Sequence, residues 1–175
     1  MDFIPSNFEL SGVSTALTSL SNREFILKSI VDSLRGEYDY ILIDCLPSLG
    51  LVAINSLVAA DGVIIPCHPA YLSTKGLNIL LRTIAKTRRS LNPQLVIDGI
   101  LLTCVDVHTK NAKEIMQALR DDLGTSVRIF DTVIPRSVRV AECSNIGKSI
   151  YRHNPSGRVA AAYEDLIDEV LSYGI

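Results

Sequence analysis

Residues 38–50 read Tyr38-Asp39-Tyr40-Ile41-Leu42-Ile43-Asp44-Cys45-Leu46-Pro47-Ser48-Leu49-Gly50. From Tyr38 to Asp44 the stretch predicts a strand that is apolar through its centre, as expected when both faces of a sheet are covered. Residues 62–66 (GVIIP), 95–103 (LVIDGILLT) and 128–134 (RIFDTVI) repeat the pattern. Met1 to Pro5 reads as a further short strand stopped by proline. Helical spacing fills the gaps. Ser21-x-x-Glu24 reads as a capping box ahead of Phe25, Leu27, Ile30, Val31 and Leu34, with Gly36 as the stop. A second helix fits 49–59. A third, capped by Ser73 or Thr74, runs through Leu77, Leu80, Leu81, Ile84 and Leu91 to Asn92-Pro93. Asn111-x-x-Glu114 starts a fourth, with Ile115, Leu119 and Leu123 on one face and Gly124 as its end. The last begins near Arg158 and buries Val159, Ala162, Leu166, Ile167 and Val170. Repeated β-α-β-α with buried strands predicts a doubly wound α/β fold, an open and mostly parallel sheet with helices on both faces.

Composition narrows the function. With 175 residues and 47% hydrophobic content the chain can build a substantial core, which excludes a disordered tail or a small disulfide-stapled scaffold. Seventeen basic against 19 acidic residues give a formal charge of −2, so a global polycation is excluded while a local basic patch is not. The charge is uneven: residues 128–158 hold Arg128, Arg136, Arg139, Lys148, Arg152 and Arg158 against Asp131 and Glu142, and residues 159–175 hold four acids and no base. The apolar runs are strand-sized, so neither a membrane span nor a signal peptide ahead of the first strand-like segment is expected. Cys45, Cys67, Cys104 and Cys143 have no C-x-x-C spacing, so the expectation is a reduced cytoplasmic protein.

In a parallel open sheet, ligands bind beyond the carboxyl ends of the strands. Those ends carry Asp44 to Gly50, Pro66-Cys67-His68-Pro69, Thr103-Cys104-Val105-Asp106 and Ile134-Pro135-Arg136. An acid after Ile-Leu-Ile at a strand tip is the arrangement of a Walker-B carboxylate, which holds Mg²⁺ directly or through water beside a nucleotide. It is equally an ordinary helix-capping or loop aspartate. The helix bearing Arg82, Lys86, Arg88 and Arg89 offers a partner or DNA surface, or a plain solvated face.

The longer string is more specific. YDYILIDC-x-PSLG, AADGVIIP, G-x-x-x-LL-x-TI, LNP, DGILLT-x-x-D, TVIPRSVRVAE and a final GK turn, in that order, closely resemble the ParA/Soj family of deviant-Walker ATPases that partition plasmids and chromosomes. The resemblance runs from Phe3-Ile4-Pro5-Ser6-Asn7 to the C-terminal helix. It implies a single P-loop NTPase-like nucleotide-binding domain over 1–175. In that family, ATP sandwiches two subunits into a dimer that binds DNA non-specifically, and a ParB-like partner stimulates hydrolysis. By the same resemblance Asp44 is the catalytic Walker-B aspartate near Mg²⁺ and the attacking water. Thr103, Ile134, Pro135 and Arg136 match segments at the adenine end of the pocket, and Arg139 matches an arginine of the DNA surface. Lys110 and Lys148 are added to that surface for their charge and neighbourhood. The implied location is the nucleoid in the cytoplasm.

Three features depart from the family pattern. Leu46 replaces a usual proline after the cysteine, and His108 stands where relatives with D-x-R-T carry an arginine. The chain also contains no G-x-x-x-x-G-K-[ST], the loop whose backbone N–H groups cradle phosphates. The sequence therefore looks like the C-terminal two-thirds of such an ATPase, incomplete at its N-terminus, and is expected neither to bind ATP tightly nor to hydrolyse it alone. Its strand at Tyr38–Asp44 is expected to present an unpaired edge that invites association. The competing readings are a non-catalytic DNA- or partner-binding module that modulates a full-length ParA-like subunit, and an unrelated α/β enzyme using the strand-end cysteines. Against the latter, the cysteines and His68, His108 and His153 show no metal spacing, and no G-x-S-x-G elbow is present.

Overall fold

The computed structural model describes residues 2–6, 10–45, 48–69, 71–106, 109–124 and 126–174. The elements in chain order are α1 (Leu10–Thr18), α2 (Ile26–Leu34), α3 (Leu51–Ala59), β1 (Gly62–Cys67), α4 (Tyr71–Ser90) and β2 (Val96–Val105). There follow α5 (Lys110–Leu123), β3 (Ile129–Pro135), α6 (Val138–Ile146), α7 (Ile150–His153) and α8 (Arg158–Ser172). They form two compact units, Met1–Asp61 with Leu80–Val96, and Gly62–Ile79 with Ile97–Ile175.

In the first unit, α1 and α2 pack on α3, burying Leu17, Val31, Leu57 and Val58. Asn55, only 3% exposed, joins them: its Nδ2 donates to the Arg23 and Leu51 carbonyls, and its Oδ1 accepts from the Leu27 N–H at the start of α2. That amide is one of the donors every helix start leaves without a partner. The predicted capping box at Ser21 and Glu24 does not form. Asn22 adopts φ 59°, the chain turns through 21–25, and Glu24 pairs with Arg23 instead. Asn92 closes α3 by donating to the carbonyls of Leu57, Val58 and Ala60 at 2.8–3.2 Å.

Two predicted strands of this unit are corrected. Asp2–Pro5 and Tyr38–Asp44 belong to no strand, and Leu42 is 93% exposed. An apolar run becomes a strand only where a neighbour completes its ladder, and among the described residues none does so here. Tyr38 instead donates its hydroxyl to the Asp2 carboxylate.

The second unit holds the sheet, in the order β1-β2-β3, with β2 and β3 parallel. Its core is Leu101, Phe130, Ile134, Val159 and Ala162, against which Ile150, Leu166 and Val170 pack. The row Val159, Ala162, Leu166, Val170 turns α8 onto β3. Ile167, expected in the core, lies one position round the helix from Leu166 and is half exposed. The start of α5 is capped by Thr109, whose Oγ1 accepts from the Ala112 N–H, and not by Asn111. Helix α4 begins two residues before the predicted Ser73 cap. The sequence pattern does not announce helices α1, α6 and α7. Neither α6 nor α7 buries a single residue, so they leave no apolar stripe to read.

Candidate functional site

Strands β2 and β3 run parallel, so their carboxyl ends share one edge of the sheet. Val105 pairs with Pro135, and the Arg136 N–H donates to the Val105 carbonyl at 2.9 Å, carrying the ladder to the tips. The register shifts between Leu102 and Val105, where β2 advances three residues against two of β3. Cys104 takes up the extra residue at φ 54°, a left-handed conformation that bulges the strand and exposes the cysteine.

Each tip leads directly into a helix start. Beyond β2 the Thr109 N–H and hydroxyl both donate to the Asp106 carbonyl, and α5 opens with Lys110. Beyond β3, Ser137 caps α6 by accepting from the Arg139 N–H at 3.2 Å. Two helix N-termini at one sheet edge direct backbone N–H groups and positive dipole ends outward, which suits an anion. Arg136, Lys110 and Arg139 are all exposed beside those starts.

The predicted residues do not all serve this edge with their side chains. Thr103 and Pro135 are half-buried, whereas Ile134 is buried against α8 in the core and contributes to the tip only through its backbone. Lys148 follows Gly147, the left-handed C-cap of α6. Seven residues of α6, about 10 Å of helix axis, therefore lie between Arg139 and that cap. Asp44 belongs to the first unit, exposed in the irregular segment after α2. Leu46 and His108 lie outside the described residues.

Two residues that the sequence does not single out hold Arg139. Glu142 accepts from Arg139 Nη1 at 3.0 Å and lies 2.8 Å from His153 Nε2 on α7. The hydrogen bond to His153, then that to Arg139, holds the Glu142 carboxyl below its ordinary range. Nothing in the string VRVAEC announces a partner eleven residues on.

For a metal or nucleotide the donor set is thin. Among the described residues no three His, Cys, Asp or Glu side chains cluster. Mg²⁺ takes one or two carboxylates together with phosphate and water oxygens. Asp44, exposed, can supply one of these. All four cysteines are free, and burial pushes the Cys67 thiol up, away from the reactive thiolate. Among the described residues no helix is long and apolar enough to cross a membrane.

A family model described as "AAA domain" matches residues 1–97. The chain is 38% identical to the sporulation initiation inhibitor protein Soj of Bacillus subtilis, over 99% of its own length and 68% of that protein. It is 37% identical to the chromosome partitioning protein ParA of Myxococcus xanthus, over 98% of its own length and 60% of that protein. With an uncharacterized protein of Mycobacterium tuberculosis the coverage falls to 53%, so the chain spans between about half and two thirds of such relatives. Among solved structures, cobyrinic acid a,c-diamide synthase from Mycobacterium smegmatis is 33% identical with TM-score 0.71, over 76% of this chain and 54% of that one. An ATP complex of a Cyanothece McdA variant shares the fold at TM-score 0.80, over 97% of this chain and 65% of that one, at 24% identity. The identity to Soj and ParA runs through both units, and on it the chain belongs to the ParA/Soj family.

Proposed function

We propose that this chain serves DNA partition in the manner of its family, in which ATP binding and hydrolysis govern dimerisation and non-specific DNA binding. The observation that carries the reading is the cationic sheet edge. Arg136 follows the last residue of β3, and Arg139 stands in the first turn of α6, where Ser137 caps the helix and Glu142 holds the Arg139 side chain. Arg139, with Lys110 and Lys148 in support, contacts phosphates and reads no bases. Thr103, Pro135 and Arg136 face the adenine end of a nucleotide, with Ile134 anchoring that turn. Asp44 acts on the metal side, through a water on Mg²⁺. The mycobacterial synthase of similar fold has been solved with bound ADP and magnesium, which supports nucleotide binding on this scaffold. A ParB-like protein and a second ParA-like subunit are the expected partners, at the nucleoid.

A second reading rests on the exposed cations Lys110, Arg136 and Arg139 alone. On that reading the chain is a non-catalytic module that holds DNA or a partner and modulates a full-length relative. Calorimetry with ATP and Mg²⁺ separates the two: no binding heat favours the module, whereas turnover abolished by Asp44→Ala favours the enzyme. DNA binding is tested by fluorescence anisotropy on two duplexes of unrelated sequence. Arg139→Ala weakens both by about tenfold and lowers the salt slope by about 0.9. Equal affinity of the two proteins for both duplexes would remove Arg139 from the interface.

A further inference from the structure

Residues 62–97 carry five bases (Lys75, Arg82, Lys86, Arg88, Arg89) and not one acid, whereas residues 1–61 carry three bases and eight acids. Four of the five fall within the second half of α4. There Arg82, Lys86, Arg88 and Arg89 are all exposed. Elsewhere many cations are neutralised: Arg23 by Glu24, Lys28 and Arg35 by Asp32, Arg35 also by Asp61, Arg120 by Asp131, and Arg139 by Glu142. Among the described residues the four of α4 form no such pair.

Spacing turns three of them into a ridge. Arg82, Lys86 and Arg89 stand at i, i+4 and i+7, within about 60° of one another round the helix, and span about 10 Å of axis. One strand of duplex DNA advances about 3.4 Å per phosphate, so the ridge matches about three consecutive phosphates. Between Arg82 and Arg89 this face offers only Ala85 besides the cations, and no large apolar side chain. A protein partner would need such an anchor at the centre of the patch; a phosphate backbone does not. Two of the three cations are arginines, whose planar fork binds phosphate oxygens in pairs.

We propose that the α4 ridge of Arg82, Lys86 and Arg89 is a second, sequence-independent contact for the DNA backbone, additional to the edge that carries Arg139. The choice of DNA over another polyanion rests on the partition reading above. Its energy comes from counterion release, so it is read in the salt dependence of binding.

The test titrates a mixed-sequence duplex with the 175-residue chain across a salt series. R82A/K86A/R89A lowers the slope of log K against log salt by about 2.7, from about 0.9 for each phosphate that is no longer neutralised. It also weakens binding more than tenfold at about 0.1 M salt. Alanine favours the helix, so the fold holds, and R82K/R89K keeps the wild-type slope because it keeps the charge. An unchanged slope in the triple variant overturns the proposal. So does wild-type binding to poly-glutamate as tight as to DNA and abolished in the same variant, which would mark the ridge as an acidic-protein site. If Arg139→Ala lowers the slope and the triple variant does not, the partition reading stands and the ridge falls; the opposite pair of results keeps the ridge and removes Arg139. A wild-type chain that binds no duplex overturns both.

Discussion

Asp98 is an acid inside an apolar strand, only 9% exposed at the start of β2. It fits because Gly62 of β1 has no side chain: a Cβ there would stand 2.1 Å from Asp98 Oδ2. Burial pushes the Asp98 carboxyl above its ordinary range, and the charge of Arg128 offsets only part of that. A raised carboxyl favours the fold while it is protonated, and that contribution is lost as pH rises through the folded value. At pH 7 the group is therefore a net cost that an uncharged isostere avoids. Asp98→Asn raises the melting temperature at pH 7 by about 2–4 °C, the shift that about 1 kcal/mol produces in a chain of this size. The gap narrows as pH falls towards 4. A lower melting temperature at pH 7 would mean that the carboxylate makes a favourable contact. The sequence shows Asp98 plainly in LVIDGILLT, yet its cost depends on β1, which is distant in the chain.

Strand β3 shows how an element can be read correctly in sequence and still keep its fastening hidden. Its apolar run is expected at 128–134 and occurs at Ile129–Pro135, and β1 and β2 match as closely, because each carries a run of β-branched and other apolar residues long enough to mark a strand. Between Ile100 and Leu102 of β2, however, β3 advances from Ile129 to Val133, four residues against two. The irregularity leaves the N–H groups of Asp131 and Thr132 turned to α8, where Glu169 Oε1 and Oε2 accept them at 2.8 and 2.9 Å. Since β3 ends the sheet order among the described strands, this carboxylate also blunts an edge. Burial pushes the Glu169 carboxyl up, but the bonds from Thr132 and Asp131 outweigh it and hold it below its ordinary range. A depressed carboxyl stabilises above its unfolded pKa, and the contribution fades as pH falls through the folded value. Glu169→Gln forfeits one acceptor and the charge, and costs about 1–2 kcal/mol in urea unfolding at pH 7. The cost shrinks under acid, where the wild type has lost the same carboxylate. An equal cost at pH 7 and pH 3 would assign the effect to packing. No periodicity announces the pair, since 38 residues separate Asp131 from Glu169.

For the whole molecule, the position of the candidate edge is legible in the sequence because it lies at strand ends. Thr103, Pro135 and Arg136 reach the surface there because β2 and β3 end there, and Arg139 follows within one turn. Ile134 reads as part of the same turn, although its side chain is core, since sequence does not tell a strand's last inward residue from its first outward one. The Tyr38–Asp44 run departs from expectation for a different reason. Its composition states a preference for two covered faces, and covering them depends on neighbouring strands and helices. In this structure Tyr40 and Leu42 are exposed, as are Phe3 and Ile4 in the same unit. Apolar backbone without a ladder is a template for pairing, and exposed apolar surface on this scale favours association. The chain is accordingly expected to sediment above its 19.1 kDa monomer mass, with an average that falls on dilution. Leu42→Asp takes away about 1.5–3 kcal/mol of side-chain burial at the association surface, which is at least tenfold in the association constant, and returns the average towards the monomer. A wild-type chain that stays at 19.1 kDa across a tenfold concentration range would show that this segment, exposed as it is, recruits no second copy.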